Sequence, residues 1–161
     1  MSDCPMTQAI RFLRERAIAF IPRLYDYEEK GGTRVSSAAL GVDEHAVIKT
    51  LVMEDDQRQP LVVLMHGDFE VSTKALARLL GVKAIVPCTP KVAEKHSGYV
   101  VGGTSPFGLK TKLAIYAEKS LFVLERIYIN GGKRGFLVEI APAALREVNA
   151  TDVEVGIARD G

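Results

Sequence analysis

Val47-Ile48-Lys49-Thr50-Leu51-Val52-Met53, the polar stretch Glu54 to Pro60, and Leu61-Val62-Val63-Leu64-Met65 together decide the fold class. Two short apolar runs joined by a polar connection outline an antiparallel hairpin with a long loop. Around that hairpin, helix and strand patterns follow one another without strict alternation. That order predicts an α+β domain with a mostly antiparallel sheet.

Upstream, Ile10, Leu13 and Ala17 recur at helical spacing after Thr7, a capping residue, and Phe20 to Tyr27 reads as extended. Pro22 suits an edge strand better than a central one. Ser36 or Ser37 is placed to cap a short helix ending near Gly41, and Asp43 to start another turn. Downstream, Ser72 or Thr73 opens a helix that Gly81 stops, and Thr89-Pro90 opens the next in the usual order of cap, then proline. Strands are expected at Ala84–Val86, Tyr99–Val101, Leu113–Tyr116, Arg126–Ile129, Phe136–Ile140 and Val153–Ile157, with a helix over 141–148. One domain over 1–161 is expected, with 1–6 and 158–161 as loose termini.

Lys49 is the sharpest single residue. In a strand it shares a face with Val47, Leu51 and Met53, where an ammonium is costly without a partner. It either snorkels to the sheet edge or points into a polar cavity able to bind an anion or carbonyl.

Two glycine-marked loops follow, Gly102-Gly103-Thr104-Ser105-Pro106-Phe107-Gly108 and Asn130-Gly131-Gly132-Lys133-Arg134-Gly135. The first spaces its glycines like a phosphate-binding loop, but Leu109 stands where that motif needs lysine and Pro106 lacks an amide donor. It reads as an ordinary turn or as a rigid loop presenting amides to a small ligand. The second reads as a hairpin connection with solvated charges, or as a turn facing a carbonyl or phosphate. Tyr25 is either an amphipathic edge residue or a phenol closing a pocket. His45, His66 and His96 are isolated from one another and from both cysteines, so no metal site is expected. No hydrolase triad is visible, which leaves backbone donors, lysine and the substrate's own groups for any chemistry.

The 161 residues are 47% hydrophobic and 25% charged with net charge +1. That composition argues against disorder and against a strongly basic nucleic-acid module. Cys4 and Cys88 make no disulfide framework, and no apolar run reaches membrane-spanning length, so a cytoplasmic address is expected.

Three segments, Val47–Leu51, Ser97–Gly108 and Ile127–Gly135, taken in this order, resemble the YbaK/ProX family of aminoacyl-tRNA editing domains, and its YbaK branch. The likeness spans roughly 7–158. It implies a curved, largely antiparallel sheet with a barrel-like core flanked by helices. The activity it implies is trans-editing of misacylated tRNA, with cysteinyl-tRNA(Pro) as the usual substrate, cysteinyl-tRNA(Cys) as another, and other small residues such as alanine or 2-aminobutyrate as alternatives. A non-catalytic aminoacyl- or nucleotide-binding module is the competing reading. The resemblance assigns Lys49, Tyr25 and Gly102 to catalysis. It assigns Thr50, Gly103, Thr104, Ser105, Pro106, Phe107, Gly108, Asn130, Gly131, Gly132 and Lys133 to substrate binding, with no cofactor. The substrate thiol is implied to attack its own ester. Aminoacyl-tRNA, weakly held, is the expected partner, with prolyl-tRNA synthetase a candidate second one. Asn130 stands where relatives often carry serine, and Leu137 where several are polar.

Overall fold

The computed structural model describes residues 4–159. Its α-helices are α1 (Gln8–Glu15), α2 (Gly32–Leu40), α3 (Thr73–Leu80) and α4 (Pro90–Ser97). Its strands are β1 (Phe20–Leu24), β2 (Val47–Asp55), β3 (Pro60–His66), β4 (Phe69–Val71), β5 (Ile85–Pro87), β6 (Ala114–Glu118), β7 (Ile127–Lys133), β8 (Phe136–Ile140), β9 (Thr151–Val153) and β10 (Gly156–Ala158).

The helix signals act through the expected atoms. Thr7, Ser72 and Thr89 each accept an amide of the first turn, satisfying donors the helix leaves free. Gly41, Gly81 and Gly98 end α2, α3 and α4 in the left-handed conformation. α2 starts at Gly32, earlier than the serines suggest. Ser36 and Ser37 lie inside it, buried, with hydroxyls donating to the carbonyls of Thr33 and Arg34.

The main sheet runs β1-β8-β7-β2-β3-β6-β9, with β5 on the far end of β2. β2 and β3 form the expected antiparallel hairpin, Ile48 opposite His66 and Glu54 opposite Pro60. β2 also pairs in parallel with β7, Val47 with Tyr128 and Ile48 with Ile129. β1 is an edge strand, and Pro22 sits in it opposite Val138.

One apolar cluster, containing Ile48, Val52, Val62, Leu64, Phe107, Ile127, Ile129, Phe136 and Val138, lies under α1. A second, containing Met53, Leu61, Val63, Met65, Leu76 and Val155, lies on the opposite face under α3. β2 and β3 feed alternate residues to the two.

Four expectations are corrected. Tyr99–Val101 forms a turn, because the Gly103 amide closes back on the Val100 carbonyl at 2.8 Å. Gly131 and Gly132 lie within β7, where a register shift between Asn130 and Lys133 marks a bulge, and the hairpin turns at Arg134-Gly135. Val153–Ile157 is not one strand. The buried Glu118 carboxylate accepts the amides of Val155 (2.8 Å) and Gly156 (3.1 Å), and the chain leaves β9 to form β10 against β4. Ala158 therefore belongs to a strand rather than a loose end, and the Arg159 amide donates to the Asp68 carbonyl. The expected loose ends at 1–3 and 160–161 lie outside the described residues. The segment 142–148 is a 3-10 helix.

Candidate functional site

Ile48 and Ile129 are register partners in the larger cluster, so the residues that follow them, Lys49 and Asn130, share the opposite face. Leu137 is the partner of Asn130 across β7–β8 and lies on that same face, buried.

Lys49 is half-buried. Among the described residues one acceptor meets its ammonium, the main-chain carbonyl of Phe69 in β4, leaving two of its three donors. Burial pushes this ammonium below the ordinary lysine value. Glu70, Glu44 and Asp68 oppose that shift, while Arg159 adds to it. Glu44 in turn accepts from Thr33 Oγ1 at 2.7 Å and from Arg159 at 2.9 Å. Burial raises the Glu44 carboxyl, but these two bonds outweigh it and hold the group below the usual range.

The β3–β4 turn that carries Phe69 rests on a histidine pair. The rings of His45 and His66 stack at 3.6 Å and 6°, and each meets Phe69 edge-on. The two histidines are therefore not isolated. The β2–β3 register folds the 3-10 turn before β2 onto the end of β3. His45 Nδ1 donates to Asp68 at 2.8 Å, and His66 Nδ1 donates to the His45 carbonyl at 2.7 Å. Ser120 Oγ then donates to His66 Nε2 at 2.6 Å, and burial holds His66 below the ordinary imidazole value. Donor atoms of His45, His66 and Asp68 lie within 4.8 Å of one another. Three of the four ring nitrogens are engaged in these hydrogen bonds. The two rings pack against Phe69, whose carbonyl meets Lys49.

Asn130 joins the two glycine loops. Its Nδ2 donates to the Gly102 carbonyl at 3.0 Å, and its Oδ1 accepts from Gly132 at 2.7 Å and Lys133 at 3.1 Å. One Nδ2 donor and both Oδ1 acceptor sites are used within the protein, and one Nδ2 donor has no acceptor among the described residues. Gly102 has φ +92°, and a methyl there would lie 2.6 Å from the Tyr27 hydroxyl. Both facts require glycine. The Gly103 amide is used by Val100, whereas that of Gly102 has no acceptor among the described residues.

Tyr25 is half-buried between the β7–β8 turn and α2. Its amide donates to the Gly135 carbonyl at 3.0 Å, and burial raises its phenol above the ordinary value, with Gly135 and Ser36 pulling the other way.

Most of the remaining candidates are buried. Thr104, Ser105, Pro106 and Phe107 are buried, Ser105 Oγ accepts the Phe107 amide at 3.2 Å, and Gly108 lies against the start of α1. A side chain at Gly131 would strike the Phe136 ring, while the Gly131 carbonyl accepts from Thr7 at 2.5 Å. Lys133 is exposed. Thr50 alternates to the face opposite Lys49, and its buried hydroxyl has no partner among the described residues. Thr50→Val removes that orphan and should raise stability by about 1 kcal/mol, read by denaturant unfolding. A stable variant with reduced activity would instead mark Thr50 as a ligand contact.

Sequence reasoning missed Tyr27, Phe69, Asp68, Glu44 and Arg159. The doublet Tyr25-Asp26-Tyr27 offered a signal for Tyr27. Arg159 meets Glu44 across 115 positions and offered none. Two surface hollows, one along α3 and one between Gln8 and Lys110, include neither Lys49 nor Asn130.

Fold and site together describe a mixed α+β domain that sets a desolvated lysine on the sheet face to which a glycine loop is pinned. The chain belongs to the aminoacyl-tRNA editing domain family, which matches residues 30–148 and so includes Lys49 and both glycine loops. Enterococcus faecalis EbsC, described as a Cys-tRNA(Pro)/Cys-tRNA(Cys) deacylase, is 29% identical over 140 residues, 86% of this chain and 85% of EbsC. The proline–tRNA ligase of Nitratidesulfovibrio vulgaris strain DP4 is 32% identical over 117 residues, 71% of this chain but 19% of that far longer enzyme. A crystal structure described as a trans-editing enzyme for prolyl-tRNA synthetase superposes with a TM-score of 0.82 at 20% identity, covering 98% of this chain and 100% of the other. At that identity the superposition bears on the fold alone. No helix among the described residues is long and apolar enough to cross a membrane.

Proposed function

We propose that this protein is a trans-editing deacylase that clears cysteine from mischarged tRNA(Pro). The observation that carries the reading is Lys49, half-buried on the face where Asn130 holds the Gly102 loop. Lys49 binds the aminoacyl carbonyl or the terminal adenosine with its free donors, and the Gly102 amide receives negative charge developing on the ester oxygen. Tyr25 closes the pocket, and Leu137 gives it an apolar wall suited to a small side chain.

The nucleophile is the substrate's own thiol. Its sulfur attacks the ester carbon, the bond to the terminal ribose oxygen breaks, and that oxygen takes up the thiol proton. The released product is a cyclic thioester. The protein's contribution is orientation and charge stabilisation.

The test is a panel of cysteinyl-, alanyl- and 2-aminobutyryl-tRNA(Pro) incubated with pure protein. The cysteinyl ester should be lost at least about tenfold faster than the other two, since only it carries a thiol. Stable binding without ester loss on all three would make the protein a binding module instead. Net charge of +1 predicts weak and salt-sensitive tRNA affinity. Prolyl-tRNA synthetase, if it is a partner, should sharpen selection of tRNA(Pro) when added.

A further inference from the structure

The loop from Val100 to Gly103 spends every carbonyl of its first three residues. Val100 accepts from the Gly103 amide at 2.8 Å, Val101 from Arg134 Nε at 2.9 Å, and Gly102 from Asn130 Nδ2 at 3.0 Å. In a trans peptide the carbonyl and the following N–H point in opposite directions within one plane. Among the described residues there is no cis bond, so a donor on the Val101 carbonyl fixes the direction of the Gly102 N–H. That N–H is the loop donor left without an acceptor in this pair of glycines.

Glycine at φ +92° has little intrinsic barrier against rotating this plane. Something else has to hold it. The Arg134 guanidinium is placed to do so, since it lies over the Tyr27 ring at 5.2 Å while its Nε reaches Val101. The Tyr27 hydroxyl also lies close beside Gly102, 2.6 Å from where a Cβ would stand.

We propose that Arg134 is a positioning residue that locks the Val101–Gly102 peptide plane and so aims the Gly102 amide at the substrate, with Asn130 locking the next plane. The part that concerns substrate rests on the deacylase reading. The part that concerns the loop does not.

Arg134→Gln and Arg134→Ala separate this role from a charge contact to RNA. Glutamine places a donor nitrogen the same number of bonds from the backbone as arginine Nε, but it carries no charge. Arg134 is exposed, so both variants should fold. In Arg134→Ala, backbone order parameters at Gly102 and Gly103 should fall from rigid values near about 0.85 toward about 0.6, while Arg134→Gln keeps them high. On cysteinyl-tRNA(Pro), Arg134→Ala should lower kcat about tenfold with little change in KM, and Arg134→Gln should recover most of that loss. Unchanged order parameters in Arg134→Ala would overturn the proposal. So would equal losses in both variants accompanied by a salt dependence shallower by about one charge, the mark of a phosphate contact. If the order parameters fall as expected but the wild-type protein cleaves no ester, the loop lock stands and the deacylase reading fails.

Discussion

Lys49→Ala should lower deacylation of cysteinyl-tRNA(Pro) by about a hundredfold or more, the usual scale for removing a donor that meets charge in the transition state. The loss should fall on kcat if the ammonium meets the reacting carbonyl, and on KM if it meets the terminal adenosine. Lys49→Met, which keeps the apolar stem, should lose as much activity with less disturbance to packing against Met65, its partner across the hairpin. Thermal unfolding of both variants supplies the control. A wild-type rate in either would remove Lys49 from the mechanism.

Phe107→Ala should cost about 3–5 kcal/mol of folding stability. The Phe107 ring is fully buried, sits 5.8 Å from Phe12 of the α1 helix, and anchors the far end of the Gly102 loop in the larger cluster. For a chain of this size the melting temperature should fall by roughly 6–20 °C. Denaturant titration reads the change directly. A cost below about 1 kcal/mol would mean that the loop is not tied to the core through this residue.

Much of this architecture is legible in the chain, and the reasons are local. A lysine within a run of apolar residues marks a face by alternation alone, and β2 delivers Lys49 to the face that the pattern indicates. The caps of α3 and α4 are read from single residues because their hydrogen bonds close within one turn. Pro22 points to an edge for an equally local reason. The failures come where a distant group decides. β4 and β10 are three residues each and exist because they pair with one another, with Glu118 steering the chain between β9 and β10. The histidine stack follows from strand register, which no spacing between His45 and His66 encodes. The motif gives the position of Asn130 but not its bonding to the loops. Its three bonds to Gly102, Gly132 and Lys133 tie the two loops together, and these contacts depend on a bulge that only the folded hairpin displays.

Asn130 and Leu137, the two positions at which the resemblance implies a departure, face one another across β7 and β8. In the proposed pocket, an amide that braces the loop and an alkyl group beside it offer no protein hydroxyl at that position. Such a pocket leans further on the substrate for its nucleophile, which gives the reading a sharp chemical consequence.

The most direct measurement is single-turnover cleavage of cysteinyl-tRNA(Pro) beside its S-methylcysteinyl counterpart, with the released species identified by mass. The predicted result is a cyclic thioester from the first and an intact ester in the second. Free amino acid released from both at equal rates would show that water, not the thiol, breaks the bond, and would contradict the account.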